Sequence, residues 1–168
     1  LYDEISWGNI MLAPGCRFEW IETNFDNLLS ETKQKNTTQI FLPGLGLHYE
    51  LLPWLGVLAG VHRGFSPVSP GQADDVLPEQ SVNYELGTRL VLDNTEAEFI
   101  GFFNDYSNLT GECTFSSGCQ TEQLNQQFNG GRVHVYGFEL LLAHEVRSVW
   151  GIEFGTKALY TLTLSEFQ

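Results

Sequence analysis

Residues 82–103 read V-N-Y-E-L-G-T-R-L-V-L-D-N-T-E-A-E-F-I-G-F-F. Val82, Tyr84, Leu86, Leu90 and Leu92 interleave with Asn83, Glu85, Gly87 and Arg89, and after Asp93-Asn94 the apolar parity resumes at Ala97, Phe99, Gly101 and Phe103. Period-two alternation is the mark of a strand with two different faces, and an Asp-Asn step between two such runs predicts a hairpin. The length of the runs decides the fold class. Strands of soluble sheets average roughly 5–6 residues, whereas a tilted strand crossing a bilayer needs about 9–11. These runs have the longer measure, and they predict an all-β chain: an antiparallel transmembrane β-barrel, present as a partial barrel of about seven to eight strands.

Outward from this hairpin the same pattern recurs. Ile10, Leu12, Cys16, Phe18 and Trp20 share one parity, and Leu55, Val57, Ala59 and Val61 another. Tyr136, Phe138, Leu140 and Leu142 follow, then Ile152, Phe154, Ala158, Tyr160, Leu162 and Leu164. Between them, polar stretches at 24–38, 65–80 and 107–129 read as long loops. Segments 6–9, 51–53, 93–94 and 144–150 read as tight turns. The long and short connections alternate, so they fall at opposite ends of the sheet, the asymmetry of outer-membrane barrels.

The chain's 8 basic and 21 acidic residues give a formal charge of −13, which disfavours nucleic acid as a partner. The longest apolar stretch, Leu51 to Val61, is too short for a spanning helix and is broken by Pro53, Gly56 and Gly60. Residues 1–4 show neither the basic nor the apolar region of a signal peptide. By the parity of the strands the last one runs outward, whereas a complete even-stranded barrel returns both ends to the periplasm. Residues 1–168 are therefore expected to be one part of a longer barrel domain.

Several segments resemble TonB-dependent outer-membrane receptors, most nearly those of the ferric-citrate type. They are Pro14 to Glu19 (P-G-C-R-F-E), Gly64 to Pro67 (G-F-S-P), Pro78 to Arg89 (P-E-Q-S-V-N-Y-E-L-G-T-R), Phe103 to Asn108 (F-N-D-Y-S-N), Asn129-Gly130-Gly131, and Val135 to Glu139 (V-Y-G-F-E). The P-E-x-S-x-N-Y-E-L-G stretch is the strongest, and together the segments span roughly residues 10–140. The resemblance implies a 22-stranded barrel closed by an N-terminal plug domain. Such a receptor captures a ferric chelate outside and releases it inward when TonB pulls on the plug. It implies a bacterial outer-membrane location, the lipid bilayer and TonB as partners, and no cofactor. The plug, the TonB box and the remaining strands are absent from these residues, and Phe167 is penultimate rather than terminal.

Cys113 and Cys119, six apart in the longest loop, are expected to form a disulfide in an oxidising compartment. With no neighbouring His or second Cys pair, zinc is the poorer alternative. Cys16 is left over, on the apolar parity. His144-Glu145 begins an H-E-x-x-H pattern, but Ser148 stands where the second histidine would be, and neither a P-loop nor a G-x-S-x-G elbow occurs. No catalytic or metal site is expected, and the chain is read as a non-enzyme. Arg17, Glu19, Glu85, Arg89, Glu139, Glu153 and Lys157 lie opposite the apolar stripes and are expected to face the lumen. For ligand contact the candidates are His62, Arg63, Arg89 and Arg132, since arginines form charge-assisted bonds to an anionic chelate. Two other classes compete: a soluble β-sandwich binding module, for example a carbohydrate-recognition domain, and a small complete eight-stranded barrel serving as an adhesin or structural protein.

Overall fold

A strand whose alternate side chains are apolar must bury one face against a second layer or against lipid. In the computed structural model, which describes residues 3–28, 31–72, 76–121, 124–147, 151 and 153–168, there is no second layer over that face. One eight-stranded antiparallel sheet runs in the order β1 (Ile5–Trp7), β2 (Ile10–Asn27), β3 (Thr32–Leu52), β4 (Leu55–Ser66), β5 (Glu79–Leu92), β6 (Thr95–Asn108), β9 (Val133–Arg147) and β10 (Glu153–Phe167). Between β6 and β9 a small hairpin, β7 (Thr110–Glu112) with β8 (Gln127–Asn129), and a 3-10 turn at Phe115–Ser117 are inserted. β1 and β10 end the sheet, which is open.

Among the described residues only Ile40, Leu42, Val76 and Val133 are buried hydrophobics, while Leu86 is 65% exposed, Phe18 61% and Tyr160 55%. A sandwich would inter those side chains between two sheets. The soluble sandwich is thereby excluded, and the open sheet does not form a complete eight-stranded barrel.

The apolar face carries a record of strand tilt. Pro14, Leu45, Val61, Tyr84, Phe103, Tyr136 and Leu164 stand side by side across β2, β3, β4, β5, β6, β9 and β10. Away from the tight turns, the stripe ends at a polar residue two positions past this row on β9 (His134) and on β6 (Asp105). On β5 it ends four past (Gln80), on β3 six past (Gln39) and on β2 eight past (Glu22). The edge climbs six residues, about 20 Å along the strand, over five strand spacings, about 24 Å. A band level with a membrane plane then requires strands tilted by roughly 40°, within the ~35–45° of spanning barrels. Along β9 the stripe is bounded by His134 and His144. Ten residues at that tilt give a height of about 25 Å, the thickness of a lipid-facing belt.

The structure revises one boundary substantially. Residues 24–27 and 32–38 are strand rather than loop: β2 and β3 stay paired from Ile10↔Tyr49 to Asn27↔Thr32, forming a ribbon that extends well past the apolar band. Beyond the lipid neither face needs to be apolar, so the alternation stops while the backbone ladder continues. At the other end the β5–β6 turn is the expected two-residue one, Leu92 facing Thr95 with Asp93 at φ 30°. The expected connection at 144–150 starts later, because β9 runs to Arg147; residues 148–150 lie outside the described residues.

Candidate functional site

The face opposite the apolar band is concave and mixed, with charged and polar side chains set among glycines and apolar ones. Its side chains fall into lateral rows fixed by the strand register. Nearest the tight turns, Glu50, Gly56, Arg89, Glu98 and Leu141 face one another across β3, β4, β5, β6 and β9. The next row is Met11, His48, Leu58, Gly87, Ile100, Glu139 and Thr161, and above it come Ala13, Gly46, Gly60, Glu85, Phe102, Gly137 and Thr163. A fourth row holds Gly15, Gly44, His62, Asn83, Asn104, Val135 and Ser165.

Across β2–β6 these rows enclose an open cavity of about 510 Å³. Glycine makes the space. Gly15, Gly44, Gly46, Gly60 and Gly87 line the cavity with bare backbone, while His48, His62, Glu85, Arg89 and Glu98 supply its polar groups. Gly56 leaves room for the His48 imidazole, whose Nε2 occupies the place a Cβ would take. The Arg89 Nε donates to Glu98 Oε2 at 2.6 Å, with the two side chains 45% and 20% exposed. This wall offers imidazole, carboxylate and guanidinium groups to a solute, between apolar stretches supplied by Met11, Ala13, Leu58 and Ile100. Among the described residues no cluster of His, Cys, Asp and Glu has the arrangement of a metal site.

The sequence candidates divide between the two faces. Arg17, Glu19, Glu85, Arg89, Glu139 and Lys157 share the concave face, as does His62. Arg17 Nε bonds Glu19 Oε1 at 2.8 Å, two residues on along the same face. The side chain of Glu153 lies outside the described residues. Arg63 and Arg132 belong to the opposite, apolar side. Arg63 sits two residues below Phe65, inside the band, and its Nη2 reaches Gln80 Oε1 at 2.9 Å. A long stem on apolar surface with its charged head carried to the edge is how an arginine tolerates such a place. Arg132 grips Asp105 through two bonds of 3.0 and 2.7 Å, with His134 Nε2 3.5 Å from the same carboxylate.

Glu98 is a site residue that the sequence reading passed over, although its signal was there. A two-residue turn at 93–94 makes Arg89 and Glu98 cross-strand partners by counting outward from Leu92↔Thr95. Cys113 and Cys119 form a disulfide with Cα atoms 5.6 Å apart.

The whole of residues 1–168 matches the family model described as TonB dependent receptor-like, β-barrel. The chain belongs to that family. Solved structures show the same fold at low identity. The ferric citrate transporter FecA in its unliganded form aligns with a TM-score of 0.75 and 24% identity, over 98% of this chain and 25% of that one. The alcaligin outer membrane receptor FauA from Bordetella pertussis gives 0.70 and 17%, over 98% and 29%. The siderophore receptor PirA from Pseudomonas aeruginosa gives 0.67 and 22%, over 96% and 30%. This chain thus spans between a quarter and a third of the length of these three receptors. Family and neighbours are receptors and transporters rather than enzymes.

Proposed function

We propose that this chain is part of the barrel wall of a bacterial outer-membrane receptor that takes up a ferric chelate, a siderophore or ferric citrate, with energy delivered by TonB through a plug domain. The observation that carries the reading is the family match over the full chain, combined with a glycine-lined concave face carrying imidazole, carboxylate and guanidinium groups behind a lipid-facing band. Structural neighbours whose names specify ferric citrate, alcaligin and siderophores support the chemical class of the ligand. In this reading the barrel domain extends beyond residues 1–168, the bilayer and TonB are the partners, and no residue of this chain performs a chemical step.

Of the four ligand candidates, Arg89 and His62 stand on the concave face and are the stronger pair. Arg89 supplies a cation near the tight-turn end, and His62 stands beside Asn83 three rows higher. Arg63 and Arg132 face the other way, and would meet a ligand only over the rim.

The test is uptake of radiolabelled iron by cells carrying the full-length receptor, with ferric citrate and several siderophores compared, in the presence and absence of TonB. Uptake of at least one chelate that disappears without TonB is the expected result. No TonB-dependent uptake of any ferric chelate would refute the assignment. Arg89→Ala and His62→Ala leaving every affinity unchanged would remove the two residues from the path while leaving the receptor reading intact.

A further inference from the structure

The connections at the end of the sheet remote from the tight turns are bonded to one another. Between β4 and β5 the chain crosses through residues 67–78, and between β6 and β9 through 109–132. The second of these is stiff by its own means. It contains the β7–β8 pairing, two backbone bonds at Cys113, whose N donates to Gln126 O and whose O accepts from Asn125 N (both 2.9 Å), and the Cys113–Cys119 disulfide.

The first connection is tied to this body by side-chain amides acting as rungs. Ser69 N donates to Gln127 Oε1 at 3.1 Å, and Gln127 N donates to Gln72 Oε1 at 2.6 Å. Gln72 Nε2 reaches Asn125 O at 3.4 Å, and Leu77 N donates to Asn129 Oδ1 at 2.8 Å. At the strand ends, Asn108 Nδ2 bonds Leu77 O at 3.0 Å and Thr110 N bonds Glu79 Oε1 at 2.8 Å. Val76, in the same connection, is one of the few buried hydrophobics. On its far side Gly71, at φ +80°, lies under the ring of Phe25 from the β2–β3 ribbon, where a Cβ would meet ring carbons at 2.8 Å.

We infer that the β4–β5 and β6–β9 connections form one mechanical unit, braced by the ribbon through Phe25, so that displacing either connection displaces the other. Backbone groups that would otherwise bond water are satisfied across the boundary. Separate movement breaks those bonds together, whereas movement as a body breaks only the contacts at its margins. A ligand or partner touching one connection therefore acts on both. This inference stands on the hydrogen-bond geometry and does not depend on what the receptor transports.

Hydrogen exchange on the full-length receptor in detergent micelles tests it, with the wall amides of Leu86 and Gly101 as the internal reference. Gln72→Ala removes the acceptor of the Gln127 amide. If the connections are one unit, exchange also quickens at Cys113, whose own bond lies wholly within the other connection, by roughly five- to tenfold. Reciprocally, the Cys113→Ser/Cys119→Ser double variant quickens exchange at Ser69 and Leu77. Acceleration confined to Gln127 in the first variant, or to residues 109–131 in the second, would show two independent bodies and overturn the inference.

Discussion

Replacing Leu140 by arginine puts the lipid-facing assignment to a quantitative trial. Leu140 lies on β9, six residues from His134 and four from His144, the polar residues bounding the stripe. At about 3.3 Å per residue and a tilt of roughly 40°, it sits about 15 Å below one edge of the band and about 10 Å above the other. An arginine at that depth costs about 2–4 kcal/mol, falling to about 0–1 near the edge. Leu140→Arg should therefore destabilise the full-length receptor by about 2–4 kcal/mol, and Tyr136→Arg, two residues inside the edge, by about 1 or less. Thr161→Arg, on the polar face of the neighbouring strand, is the control. Guanidinium unfolding from lipid bilayers, followed by loss of the compact gel band, measures all three. Equal costs for Leu140→Arg and Thr161→Arg would mean that the two faces see the same medium, and the tilt and depth derived from the stripe would fail with it.

Gly87→Ala should destabilise by about 1–3 kcal/mol, because its Cβ would lie 2.5 Å from the Phe99 carbonyl oxygen and 2.9 Å from Ile100 Cγ1. Gly46→Ala, whose nearest neighbour is Ala13 Cβ at 3.5 Å, should be tolerated; equal losses in denaturant midpoint would contradict this. A double-mutant cycle on Arg89 and Glu98 should give a coupling of about 1 kcal/mol or less, since the pair is partly exposed. A coupling above about 3 kcal/mol would show that the pair is dry in the intact receptor. On the ribbon outside the band, bonding to Lys35 holds the Glu22 carboxyl below its ordinary value. That contribution is complete above the unfolded carboxylate pKa and disappears as pH falls through the lower folded one. Amide protection in the β2–β3 ribbon around Glu22 and Lys35, taken relative to the intrinsic exchange rate at each pH, should accordingly fall on acidification, and Lys35→Gln should abolish the change.

The strands within the lipid band were legible because the bilayer favours apolar side chains on one face at every second residue, as Tyr136 to Leu142 show without a break and Tyr84 to Leu92 with Thr88 as the one exception. The same cause hid the ribbon. Past Glu22 on β2 and before Thr38 on β3 no lipid demands an apolar side chain at every second place, so Asn24↔Lys35 and Asn27↔Thr32 pair without leaving a hydropathy signal, and Phe25, which covers Gly71, is one apolar residue in a polar run. Adjacent residues of a strand point to opposite sides, so His62 and Arg63 were never able to serve one face together; alternation alone contains that fact. The bonds from Gln72 to Gln127 and Asn125 were beyond sequence reading. They join residues more than fifty positions apart, through side chains that any solvated loop carries.

The ribbon has a practical consequence. Its paired arms continue five residues past Glu22 on β2 and seven before Gln39 on β3, which at the same tilt lifts its tip about 13–18 Å clear of the lipid. In the proposed orientation an antibody raised against 22–38 would label unbroken cells. A short epitope inserted between Asn27 and Thr32 would report surface display without disturbing a single rung of the wall.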